Sequence, residues 1–384
     1  MSLPHKDSDV PFVNEMRLSA RQWLVAVALI ALAAIGVPRV WKGIERFDTG
    51  PDYRIPYSLS RDYWLYERRL QQVSNPASVF LLGDSVVWGE YVLPDGTLSH
   101  FLNEQAGQAD RFVNAGVNGM FPLALDGLVN YYGGTLRHRK IILQCNVLWM
   151  SNPKADLQTT KEEKFNHSRL VPQFSPRIPC YKADANERLG AVVERNVRFN
   201  AWVGHLQSAY FGDKSILNWT LQDDGNDPPR YTNSYKNPLS QITLEVPGAP
   251  AKDPQRGPAS ERHKPWTDNS PKPSQFEWVT LDSSLQWVGF RHLVQTLRAR
   301  GNDVLVVVGP FNEHMVAKES QAGFHALRDG IVAWLTQQNV THVIPAVLPG
   351  ELYADASHPL TAGYQLLAKQ LYQDPAVQKW LGRQ

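Results

Sequence analysis

The sequence predicts an α/β fold built on a mostly parallel, five-stranded sheet and preceded by a membrane-spanning helix. Five short runs rich in Val, Ile, Leu or Phe end near Gly, Asn or Pro, and longer stretches of helical periodicity separate them. One unbroken apolar segment lies near the N-terminus. The strand candidates are residues 78–82, 111–114, 140–144, 303–308 and 341–344, and helices are expected over 97–105, 122–131, 285–300, 318–338 and 361–373. Strands alternating with helices imply right-handed crossovers, a parallel sheet and helical cover on both faces.

The apolar segment runs from Trp23 to Val37 and continues through Pro38, Arg39 and Val40 to Trp41. As a helix it reaches roughly 28 Å at ~1.5 Å per residue, close to the hydrocarbon core of a bilayer. The indoles of Trp23 and Trp41 then fall at the two interfaces, where Arg39 can snorkel. A retained signal anchor over 22–41 is the leading reading. A cleaved signal peptide ending near Ala31-Leu32-Ala33 and a buried core helix are the alternatives, the latter weakened by the absence of a polar face. Arg17 and Arg21 on one side face Arg39, Lys42 and Arg46 on the other, so charge does not set the orientation. The short tail, 1–21, favours a cytoplasmic N-terminus with the large domain outside.

A linker and a short helix (60–73) occupy 42–77, and the main domain is expected over 78–384 with a long insertion, 151–282. The insertion contains a helical pattern over 186–210 and a stretch, 222–275, dense in Pro, Asp, Asn, Ser and Lys. That stretch reads either as a polar surface loop or as a cap facing substrate. With 39 basic and 37 acidic residues and no basic stripe, the chain offers nothing that a nucleic-acid backbone demands. Two cysteines, Cys145 and Cys180, are too few for a disulfide scaffold and lack zinc-ligand spacing. They read as a pair if exported, or as a buried strand cysteine and an unrelated loop thiol.

Four polar segments follow strands and so fall at the carboxyl edge of the sheet, where open α/β sheets collect ligands. They are Gly83-Asp84-Ser85, Asn114-Ala115-Gly116-Val117-Asn118-Gly119, Cys145-Asn146 and Asp355-Ala356-Ser357-His358. Together they supply what acyl transfer needs. Ser85 is the nucleophile, His358 the base that takes its proton, and Asp355 the acid that orients the imidazole. The Gly119 N–H, the Asn146 side-chain amide and the Ser85 N–H are candidate donors to the oxyanion, with Asn118 and Asn114 as further amides.

In this order and spacing the segments resemble the SGNH, or GDSL-type, hydrolase superfamily, over about 78–373 without the insertion. The resemblance implies a three-layer, flavodoxin-like sandwich and esterase, lipase, carbohydrate-deacetylase or acyltransferase activity without cofactor or metal. It also implies site roles for Ser85, Gly119, Asn146, Asp355 and His358. The chain departs from the family pattern in its third block, Gln144-Cys145-Asn146-Val147, which lacks the usual glycine and following acid.

Other residues carry weaker expectations. His314 follows the fourth strand and either faces the cleft or caps the surface; Trp88 either shapes an acyl pocket or packs on the sheet. His100, His205 and His292 sit on helical patterns and read as structural. The leading function is a membrane-anchored, extracytoplasmic serine esterase acting on an O-acyl group, acetyl above all, of an envelope glycan or related ester. An O-acyltransferase sharing the acyl-serine intermediate and a non-catalytic component of an envelope assembly are the alternatives. Oligomeric state is left open.

Overall fold

The computed structural model describes residues 18–50, 52–221, 236–248, 263–269 and 272–382. It divides into two compact units, one ending at Ile44 and the other beginning at Glu45. The first contains helix α1 (Ala20–Ile44), long and apolar enough to cross a membrane. Its Pro38 lacks a backbone N–H, and the neighbouring Arg39 guanidinium donates to the Ile35 carbonyl at 2.8 Å.

The second unit is α/β. Strands β1 (Val79–Leu82), β2 (Phe112–Asn114), β3 (Lys140–Cys145), β4 (Asp303–Val308) and β5 (Thr341–Val343) form one all-parallel sheet in the order β2-β1-β3-β4-β5. Because strand side chains alternate, each face has its own apolar cluster. Phe80, Leu82, Val113, Ile141, Leu143, Val304 and Val306 pack on one side, and Val79, Leu81, Phe112, Ile142, Leu305 and Val307 on the other. The first cluster also takes residues of α2 (Tyr63–Gln72), α5 (Pro122–Tyr132), α9 (Leu285–Ala299) and α10 (Lys318–Gln337). The second takes residues of α3 (Ser85–Trp88), α4 (Leu98–Ala106), α11 (Thr361–Gln373) and α12 (Pro375–Leu381). Gly289 on α9 permits its close approach to α5, since a Cβ there would meet the Leu123 Cα at 2.6 Å.

Between β3 and β4 the chain makes its longest excursion. The Val279 N–H bonds the Met150 carbonyl at 2.9 Å, so the excursion closes near where it opens. Asp156, fully buried, accepts the Ser284 hydroxyl and the Leu285 and Gln286 N–H groups, anchoring the excursion on the first turn of α9. The single helix expected over 186–210 is instead two, α6 (Ala185–Asn196) and α7 (Arg198–Phe211), separated by Val197 with φ −109° and ψ 107°. The break lets α7 lie against α2 while α6 packs on α7 from another direction, which one straight rod could not do. A third helix, α8 (Ile216–Leu221), follows. Most of the polar stretch 222–275 lies outside the described residues.

A buried ionic cluster joins the start of this unit to α2 and α7. Arg68 pairs with Glu45; His205 Nε2 lies 2.8 Å from Glu45 Oε1, and His205 Nδ1 lies 2.6 Å from Asp62 Oδ2. The Tyr210 hydroxyl donates to Glu45 at 2.6 Å. Asp62 is also the N-cap of α2, accepting the Leu65 N–H, and for that reason the helix starts later than the expected residue 60. Burial alone would lower the His205 pKa, but the two carboxylates outweigh it and raise it to about 9.

Because this value is raised on folding, the stability His205 contributes is complete below its ordinary value and is lost as pH rises through about 9. The detergent-solubilised chain should therefore unfold at lower urea at pH 9.5 than at pH 6.5. His205→Ala removes the imidazolium that the two buried carboxylates share, leaving Glu45 to Arg68 and Tyr210, and should cost about 3–5 kcal/mol at pH 6.5. A urea midpoint unchanged by the substitution would exclude this role.

Candidate active site

The turn that carries Ser85 is shaped by what Gly83 and Asp84 permit. A Cβ on Gly83 would come within 2.4 Å of the Val87 side chain and 2.7 Å of Gln144 Oε1, so only glycine lets β1 turn here beside β3. Asp84 then caps α3, its Oδ1 accepting the Val86 N–H at 2.8 Å. Its Oδ2 accepts the Asn146 amide at 2.8 Å and the Trp149 indole N–H at 2.7 Å. Burial pushes the Asp84 carboxyl up from its ordinary value, against the pull of nearby His358 and of these three donors. Ser85 opens α3, where N–H groups lack an intrahelical acceptor, and Gly89 ends it in the left-handed conformation at φ +91°.

Asp355 and His358 come from a tight loop between β5 and α11, closed by an isolated bridge between Tyr353 and Pro359. Asp355 Oδ1 accepts the Ser357 and His358 backbone N–H groups at 2.9 and 3.0 Å. Both its oxygens lie 2.8 Å from His358 Nδ1. A carboxylate only accepts, so the neutral imidazole carries its hydrogen on Nδ1 and presents the Nε2 lone pair. That nitrogen lies 2.7 Å from the Ser85 hydroxyl oxygen. Nucleophile, base and acid expected from the sequence are thus in one hydrogen-bonded chain.

The electrostatics follow the geometry. Burial would raise the Asp355 carboxyl, but the hydrogen bond and charge of His358 and the two backbone donors bring it down to about 2. Burial would lower His358, yet Asp355, Asp84 and Glu90 together raise it above its ordinary value. Buried Asn312 holds the loop from behind: its N–H donates to the Ala356 carbonyl at 2.8 Å and its amide to the Asp355 carbonyl at 3.2 Å. The Tyr364 hydroxyl, from α11, donates to the Val86 carbonyl at 2.7 Å and so ties the loop's following helix to α3.

The second block runs alongside the first. Ala115 and Val117 N–H groups bond the Leu81 and Gly83 carbonyls at 2.9 and 3.2 Å. A Cβ on Gly116 would strike the Trp88 nitrogen at 2.5 Å, which explains the glycine. Gly119 adopts φ +68°, and the Asn166 amide occupies the space its missing Cβ leaves, 2.4 Å from that position. Asn146 spends one amide hydrogen on Asp84 and accepts the Leu148 N–H at 3.0 Å, leaving its second amide hydrogen. Asn114 is not a free amide: it donates to the Val87 and Trp88 carbonyls at 2.9 and 3.4 Å and braces α3.

The weaker expectations divide. His314 bonds the Leu348 carbonyl at 3.1 Å, so the segment after β4 reaches the acid–base loop through Asn312 and not through its histidine. Trp88 is packing: its indole N–H donates to Ile55 at 2.7 Å and Arg54 lies over its ring at 4.0 Å. His100 and His292 pair with Asp52 and Asp126 on helix surfaces, each at 2.8 Å. Cys145 and Cys180 are separate buried thiols. Among the described residues no three His, Cys, Asp or Glu side chains are grouped to hold a metal ion. Sequence reasoning missed Glu90, whose carboxylate lies 3.4 Å from His358 Nε2, and Tyr91, whose ring meets the His358 ring edge-on at 5.2 Å. The available signal was Gly89, a left-handed stop that turns the chain back toward Ser85.

Asp84→Asn replaces an acceptor-only group with one that turns an N–H₂ toward the Asn146 or Trp149 donors. It should lower stability by about 1–3 kcal/mol, read from urea denaturation; an unchanged midpoint would show that Asp84 does not organise the turn.

No family model matches the chain, and no curated protein matches it.

Proposed function

We propose that the protein is a serine esterase of the SGNH type, acting on O-acyl groups of an envelope glycan through an acyl-Ser85 intermediate. The observation that carries this reading is the unbroken relay from Ser85 Oγ to His358 Nε2 at 2.7 Å and from His358 Nδ1 to Asp355 at 2.8 Å. His358 takes the hydroxyl proton as Ser85 attacks the acyl carbon, and the imidazolium formed is stabilised by Asp355. The tetrahedral oxyanion is met by the Ser85 N–H, the Gly119 N–H and the remaining Asn146 amide hydrogen. Nε2 then gives its proton to the leaving alkoxide, and water or another hydroxyl reverses the sequence to free Ser85. Hydrolase and O-acyltransferase differ only in that last acceptor.

The strand order 2-1-3-4-5, with an apolar cluster on each face, fits the flavodoxin-like three-layer sandwich that this reading carries. A polar cavity of about 170 Å³, lined by Ser58, Ser60, Arg61, Asn118 and Asn166, adjoins Gly119 and suits a hydroxyl-rich substrate better than a long acyl chain. Helix α1 supplies the membrane attachment, with the catalytic unit assigned to the extracytoplasmic side.

A fluorophosphonate probe should label wild-type protein at Ser85 and leave Ser85→Ala unlabelled; well-folded wild type that resists labelling would remove the enzymatic reading. With an acetyl ester, His358→Ala should lose about four orders of magnitude or more in kcat, and Asp355→Ala roughly a hundredfold less than that. Since His358 must be neutral to act as base and its pKa is raised, kcat/KM should climb with pH through a midpoint above the ordinary histidine value of about 6.5. A midpoint below it would contradict the electrostatics derived from Asp355, Asp84 and Glu90.

A further inference from the structure

Among the described residues, Nε2 of His358 has two oxygen neighbours. One is the Ser85 hydroxyl at 2.7 Å; the other is the Glu90 carboxylate, with Oε2 at 3.4 Å. Asp355 already orients the ring through the opposite nitrogen, so a second acid on the reactive side is not needed to hold the imidazole.

The backbone is bent to bring Glu90 there. The Gly89 and Glu90 N–H groups both donate to the Ser85 carbonyl at 2.9 Å, tying the acid to the nucleophile's own residue. Glu90 is flanked by two left-handed residues, Gly89 at φ +91° and Tyr91 at φ +70°. The second is uncommon for an aromatic side chain and stores backbone strain. Its result is a Tyr91 ring set edge-on against His358 at 90° and stacked on His263 at 4.0 Å. Glu90 and Tyr91 thereby both lie against His358, the carboxylate on its Nε2 side.

We infer that Glu90 positions the acceptor that removes the acyl group from Ser85. This rests on the acyl-Ser85 reading above. Once Oγ is esterified it has no hydrogen to offer Nε2, and the incoming hydroxyl takes its place. Water has two hydrogens: one is transferred to Nε2 as its oxygen attacks the acyl carbon, and the other stays on that oxygen, donated as a hydrogen bond to the Glu90 carboxylate. A vicinal diol meets the same pair of acceptors with its reacting hydroxyl on Nε2 and its neighbour on Glu90. The new acyl–oxygen bond forms, the Ser85 ester bond breaks, and Oγ recovers the proton from Nε2. Glu90 is unchanged at the end. The acceptor class is therefore water or a vicinal diol, as sugars offer.

Among the described residues, the charged groups acting on His358 are Asp355 on its own loop and Asp84 and Glu90 around α3, with the titratable Tyr91 ring edge-on against it and His263 stacked on Tyr91. Removing one negative charge from this set weakens His358 as a base, so the acid limb of the rate profile moves to lower pH.

The test compares Glu90→Gln with wild type in detergent, using 4-nitrophenyl acetate. Nitrophenolate release in the first turnover reports acylation, and acetate release from the acetyl-enzyme reports deacylation. Glu90→Gln should acylate within about threefold of wild type yet deacylate at least about tenfold more slowly. Its acid limb should shift to lower pH. Equal losses in both steps without a pH shift, or no change in either, would overturn the role of Glu90. Labelling of Ser85 by the fluorophosphonate probe in both proteins is read separately, so failure of the enzymatic reading itself is distinguishable. Glu90→Asp, which keeps the charge, should retain the wild-type pH limb; a limb displaced as in Glu90→Gln would also count against the proposal.

Discussion

The carboxylate of Asp84 is the constraint on which the site's architecture depends. It is buried, and it touches the first block, the third block and the chain beyond it, through the Val86 N–H, the Asn146 amide and the Trp149 indole. A buried carboxylate without such donors would be strongly disfavoured, so the three groups must converge wherever Asp84 sits. That convergence places Ser85 at the start of α3 and Asn146 at the end of β3 within one small volume. The parallel register sets Cys145 beside Val308 and Asn146 just beyond, so the asparagine reaches Asp84 from the sheet edge itself.

The second half of the site is held by a different device. The acid–base loop makes its own turn through Asp355 and the backbone of residues 357 and 358, and Asn312 fastens that turn to the chain after β4. Tyr353 adds a hydroxyl bond to the Phe311 carbonyl at 3.0 Å. The histidine is therefore delivered to Ser85 by two neighbouring strands, β4 and β5, and not by its own loop alone. Elsewhere in the unit, the Glu45–His205–Asp62 cluster does comparable work on the scaffold. It locks α7 onto α2 by charge, where the apolar surface is interrupted.

Much of this was legible from residues alone. The five strand candidates and five of the flanking helices agree with the structure to within one or two residues, because buried parallel strands read as short continuous apolar runs. Ser85, Asp355 and His358 were legible for a local reason: each belongs to a short segment whose place after a strand follows from the pattern. The division of one helix into α6 and α7 was not, since nothing in Val197 itself breaks a helix and only the need to pack on α2 does. Asn114 looked like a donor equal to Asn146, and only the approach of Gly116 to α3 assigns its amide to the backbone.

The sequence by itself determined the parallel sheet and the apolar N-terminal helix and singled out Ser85, His358 and Asp355, since these are written in periodicity and in short motifs. What only the tertiary structure decided is how distant segments share one polar volume. Glu90 beside His358, Asn146 on Asp84, Asn312 behind Asp355 and His205 between two carboxylates all bring together groups from different segments. The physical reason is that hydrogen bonds and charges act over about 3 Å in space, a distance that spacing along the chain does not encode.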